Sequence, residues 1–154
     1  MRNFILGVLL ALSTFDPVNA ADAPKTNEAV ADPALAKRLG ADERGMRHYV
    51  LAILKTGPHR MPDGKARDEM FAGHFANITR LADAGKLAVA GPFGDKNDWR
   101  GMFVFAVETP EEAAELAATD PVIRNGEMIA EYHRLYASAA LMSVYETHLK
   151  IAPK

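Results

Sequence analysis

The hydrophobic patterning of this sequence predicts an α+β fold, in the order β-α-β-β-α-β, with a four-stranded antiparallel sheet. Three observations carry that expectation. Runs of aliphatic and β-branched residues alternate with two helical patterns in that order. Gly57-Pro58 and Gly91-Pro92 close two of the runs, where the chain has to turn. "TPEEAAELAATD" opens with a helix-start signature: Thr109 as N-cap, Pro110 at the first helical position, and Glu111 and Glu112 where they suit the macrodipole.

The chain has 154 residues, the length of one domain. Its first stretch, "MRNFILGVLLALSTFDPVNA", holds Arg2, an apolar run from Phe4 to Leu12, and small residues at Val18-Asn19-Ala20. The run is shorter than the about 20 residues that a bilayer span needs. It reads as a secretory signal peptide, residues 1–20, cut after Ala20. The expected product is exported, periplasmic or secreted, with no membrane association after cleavage. It has no Cys, so its stability must come from a core and not from disulfides. A formal net charge of -2 gives no reason to expect a nucleic-acid partner.

Residues 21–45 form an Ala-rich leader in which Asp32-Pro33 begins a short helix and Gly40 stops it. The folded domain is expected over residues 46–137. "RHYVLAILKTGP" predicts a strand near 47–55, and "HRMPDGK" a loop. A helix follows over about 66–84, stopped by Gly85. "KLAVAGPFG" is the second strand, "DKNDWR" a turn and "GMFVFAVE" the third strand. The second helix ends or breaks at Asp120-Pro121, because a residue before proline is pushed out of the α region. "EMIAEYHRLYA" is the fourth strand, and residues 138–154 form a tail with a short helix.

This order is the split βαβ, ferredoxin-like arrangement with both helices on one face of the sheet. Phe103, Phe105 and Val107 fall on one side of the third strand, and Met102, Val104 and Ala106 on the other. Both sides are apolar, so the face without helices also needs a cover. A homodimer packed sheet to sheet is the expected one.

At 100° per residue, Met70, His74, Ile78 and Leu81 share one arc of the first helix, with Phe71 and Phe75 beside it. His74 therefore points inward. Two readings remain open at this level: a core histidine satisfied by neighbours, or a base held in a pocket. The topology brings the last turn of the second helix, with Asp120, to the end where His74 lies. A carboxylate beside an imidazole fixes its tautomer and leaves the other nitrogen free as a general base.

The same edge gathers the Gly91-Pro92-Phe93 turn, whose amides of Gly91 and Phe93 can face developing negative charge. It also gathers the Asp98-Trp99-Arg100 turn, with Trp99 as a pocket wall. Arg100 and Arg124 can hold a substrate anion, and His133 on the fourth strand can line the pocket. His48, His59, His133 and His148 show no paired ligand spacing, so neither a metal nor another cofactor is expected. There is no phosphate-binding P-loop and no nucleophile elbow.

"GHFANITRLADAGKLAVAGPFGD" and "WRGMFVFAVETPEEAAELAATDPVIRNGEMIAEYHRLYA" resemble the YCII-related (YciI-like) domain family. That resemblance implies a dimeric α/β barrel of ferredoxin-like subunits, with a His-Asp pair as its candidate active site, here His74 and Asp120. The family includes a dehydrochlorinase of a chlorinated aromatic ring compound, and related barrels include muconolactone isomerase. The export signal, the leader and the tail depart from its small, usually cytoplasmic members. The expected function is a metal-independent lyase or isomerase acting on a small organic acid or ring compound. The alternative is a non-catalytic, dimeric small-ligand-binding module of the periplasm.

Overall fold

The computed structural model describes residues 30–153. The signal-peptide reading and most of the leader lie outside the described residues. Helix α1, Pro33–Leu39, starts where Asp32 accepts hydrogen bonds from the amides of Ala34 and Leu35, and ends at Gly40 in the left-handed region. The folded elements continue as β1 (Met46–Thr56), α2 (Lys65–Asp83), β2 (Leu87–Pro92), β3 (Trp99–Phe105), α3 (Pro110–Ala117), α4 (Pro121–Arg124) and β4 (Met128–Ser138). A 3₁₀ turn, Ala139–Ser143, then leads into α5, Val144–Ile151.

The four strands pair antiparallel in the order β2-β3-β1-β4, as the ferredoxin-like expectation requires. Its two central strands are apolar on both sides. Val50, Ala52, Leu54, Phe103 and Phe105 pack against Met70 and Leu81 of α2, Ala113 and Ala117 of α3, and Val122 of α4. Burial of each large side chain in that layer contributes roughly 1.5–3 kcal/mol by transferred apolar area.

Trp99 and Arg100 correct the expected turn, since they belong to β3 and Trp99 pairs with Lys55. The cause is a bulge between Leu54 and Lys55, which lets the long β1 strand hold β3 for two further residues. The second predicted helix is also two helices. Asp120, at φ -82° and ψ 128°, leaves the helical region and caps α4, as its place before Pro121 dictates.

The second face of the sheet is covered at one end by the chain itself. Tyr49, Ala88, Val104 and Ala106 pack with Leu141 and Met142 of the 3₁₀ turn. The turn is held by the amide of Ala139 on the Gly45 carbonyl, at 2.9 Å. A partner subunit is thus not needed for this end. At the other end Ile129 stays exposed beside the Lys55–Glu131 ion pair, and Met102 is half-buried.

Candidate functional site

Helix α2 buries Met70, His74, Asn77 and Leu81, a stripe with helical spacing on the sheet side. His74 is 7% exposed and stacks on Phe103, with the ring centres 5.9 Å apart and the planes inclined by 29°. Phe71 meets its edge at 6.0 Å. The helix carries Gly73 next to the histidine, and a Cβ there would stand 3.0 Å from Cγ of Pro121. That missing methyl lets α4 begin against α2, which brings the residue before Pro121 to His74.

Asp120 is fully buried and its two oxygens have separate tasks. Oδ1 accepts from the amide of Val122 at 3.1 Å, which caps α4. Oδ2 lies 2.8 Å from Nδ1 of His74. A carboxylate can only accept, so Nδ1 carries a proton, and in the neutral form of the ring the free lone pair is on Nε2. Nε2 makes no hydrogen bond among the described residues. Asn77 adds a longer contact from Nδ2 to the same Asp120 oxygen, 3.4 Å. Its amide is oriented from the other side by Arg80, whose guanidinium donates to Oδ1 of Asn77 at 2.7 Å and to Thr119 at 2.9 Å.

The imidazole borders a pocket of about 600 Å³. Leu54, Phe71, Ile78, Phe103 and Met128 make its wall apolar, and Ala90, Gly91 and Pro92 bring in β2. Phe75, 62% exposed, also borders it. Three basic side chains line the same space: His74, Arg100 and His148. No carboxylate and no hydroxyl is among the lining side chains. Arg100 forms no salt bridge among the described residues, so its guanidinium has no internal counter-ion.

The expected site residues divide accordingly. The structure gathers His74, Asp120, Gly91 and Arg100. Phe93 and Trp99 pack on each other, with ring centres 5.4 Å apart, and neither lines the pocket. Arg124 is exposed in the last turn of α4, outside the lining. His133 pairs with Leu51 and so stands on the far side of the sheet, 3.8 Å from Glu131. Strand alternation groups His133 with Glu131 and Leu135, but which face the helices cover is set by packing and not by alternation. Gly91 and Pro92 of the expected anion-facing turn belong to β2 instead, and the Phe93 amide just beyond it is already bonded to the Arg100 carbonyl at 3.2 Å.

The region from residue 46 to residue 134, β1 through most of β4, matches the YCII-related domain. The chain belongs to the YCII-related family. The uncharacterized protein YjpA of Bacillus subtilis (strain 168) is 36% identical over 81 residues, 53% of this chain and 85% of that protein. Within this YCII-related chain, His74, Asp120 and Arg100 lie inside the matched region, whereas α1 and α5 lie outside it.

Other buried polar groups escaped the sequence reading. Asn77 could have been found, since it follows His74 by three residues on the same helical face. Glu127 gave no such signal, standing at the start of an apolar strand. It is fully buried, receives the Met61 amide at 2.7 Å, and pairs with Arg67 at 2.8 Å. Burial pushes the Glu127 carboxyl up, but the hydrogen bonds from Arg67 and Met61 outweigh it and hold the group below the usual range. Arg67 also lies over the Phe71 ring at 4.7 Å, which ties this pair to the pocket wall. Among the described residues, no cluster of three or more His, Asp or Glu is placed to hold a metal.

Proposed function

We propose that this protein is an exported YciI-like lyase or isomerase in which His74 acts as a general base on a small organic acid or ring compound. The observation that supports this reading is the 2.8 Å contact from Asp120 to Nδ1, with the ring edge in an apolar pocket. Asp120 fixes the tautomer and stabilises the imidazolium that forms. Nε2 takes a proton from a carbon of the bound ligand, and the electron pair left behind expels a leaving group or shifts a double bond. Arg100 holds the ligand's anionic group. The low polarity of Phe71, Phe103 and Met128 strengthens both interactions. Asparagine in place of His74 abolishes turnover in a folded protein; unchanged turnover rejects the mechanism.

The lack of any hydroxyl or carboxylate in the lining favours a second reading, a non-catalytic ligand-binding module. Under it, a ligand that raises the melting temperature is recovered unchanged after long incubation. We further propose a homodimer that covers the open end of the second sheet face, around Ile129 and Met102. A clean monomer in light scattering at micromolar concentration rejects that assembly. The export signal supports a periplasmic or secreted location, and fractionation of expressing cells tests it.

A further inference from the structure

We infer that the C-terminal helix α5 is the outer wall of the His74 pocket, and that His148 on it selects ligands bearing a carboxylate. This rests on the reading of that pocket as the ligand site. Helix α5 buries none of its own residues, so core packing does not explain its position. It is held by side chains instead. Tyr145 donates to Asp83 at the end of α2, 2.8 Å away, and Glu146 pairs with Arg38 of α1 at 3.2 Å. Both α1 and α5 lie outside the region shared with the YCII-related domain. Helix α1 and the tail therefore meet beside the domain through this exposed ion pair.

The tail sits beside the site. A crevice of about 240 Å³ separates α5 from α2 and β2, bordered by Ile78, Ala88, Val144 and Tyr145. His148 borders both this crevice and the main pocket. It is exposed at the rim, and its imidazole makes no hydrogen bond or salt bridge among the described residues. The pocket wall thus carries Arg100 from β3 and His148 from α5, with no lining carboxylate to neutralise either. A flat apolar ligand against Phe103 would present its charged group to these donors. The wall that adds His148 belongs to this chain's own extension, so the selectivity it confers is separable from the shared His74–Asp120 pair.

The test uses the full chain and two probes of matched shape, naphthoate and its neutral counterpart naphthamide, titrated by calorimetry at one fixed pH. The wild type binds naphthoate more tightly. His148→Gln reduces that preference about three- to tenfold, the ordinary net value of one hydrogen bond, as fits a solvated rim. The unfolding midpoint is unchanged, and His148→Lys restores the preference. Preference intact in His148→Gln, but lost in Arg100→Gln, overturns the role of α5 and keeps the pocket reading. Failure of the wild type to bind either probe, or to distinguish them, overturns both. Should His148→Gln fold poorly, the wild-type imidazole signals of His148 decide. They shift with naphthoate and not with naphthamide, and no shift with either overturns the inference.

Discussion

Replacing Asp120 separates its two tasks, because the two oxygens serve different partners. In Asp120→Asn, the remaining oxygen still accepts from the Val122 amide, and asparagine is as good an N-cap as aspartate. The amide nitrogen then occupies the place of Oδ2, 2.8 Å from Nδ1 of His74. Two donors cannot face each other there, so the ring must take the other tautomer and become a donor toward the pocket. Exchange of a charge-assisted hydrogen bond for a neutral one costs about 1 kcal/mol. Asp120→Ala removes both contacts, about 1 kcal/mol for the cap and a further 1.5–3 kcal/mol for the bond to His74. The alanine variant is therefore less stable than the wild type by about 3 kcal/mol, and the asparagine variant by about a third of that. Urea unfolding measures both differences. Nitrogen-resolved NMR of the imidazole reads the tautomer directly. An asparagine variant whose Nδ1 stays protonated, with Nε2 still the acceptor, refutes the account of how Asp120 acts. An alanine variant within about 1 kcal/mol of wild type refutes the energetic part.

Three other outcomes follow from the packing. Glu127 has a folded-state carboxyl held below its unfolded value of about 4.3, so its stabilising contribution is present above that pH and is lost as pH falls through the folded value. Glu127→Gln is accordingly less stable than wild type at neutral pH, and the gap narrows on acidification; an equal gap in unfolding curves at both ends contradicts the linkage. Gly57→Ala places a Cβ 2.1 Å from the Gly126 carbonyl oxygen, where only backbone can yield, and costs about 2–3 kcal/mol or more. A melting temperature matching wild type would show that this crossing is looser than described. Thr109→Ala removes the acceptor of the Glu112 amide at 3.2 Å and lowers stability by about 1 kcal/mol in chemical unfolding, since this side chain is the N-cap of α3.

Much of the domain could be read before any coordinates because helix and strand signals are local. Asp32-Pro33 and Thr109-Pro110 mark their helix starts through the caps they form, and both caps are present. The bulge at Leu54/Lys55 had no such mark, so Trp99 and Arg100 passed for a turn. Strand alternation grouped His133 with Leu135 but could not say which face the helices would cover.

The sequence alone determined that His74 faces inward, because a period of 3.6 residues relates it to Met70 and Leu81 without reference to anything beyond the helix. It also determined the order of strands and helices, and hence which carboxylate could approach. Only the tertiary structure decided the rest. The 2.8 Å contact depends on how closely α4 seats against α2 at Gly73. The burial of Glu127 against Arg67, and the arrival of His148 beside a pocket built from residues 54 to 128, join positions far apart in the chain. No run of neighbouring residues encodes such distances; they are set when the layers pack.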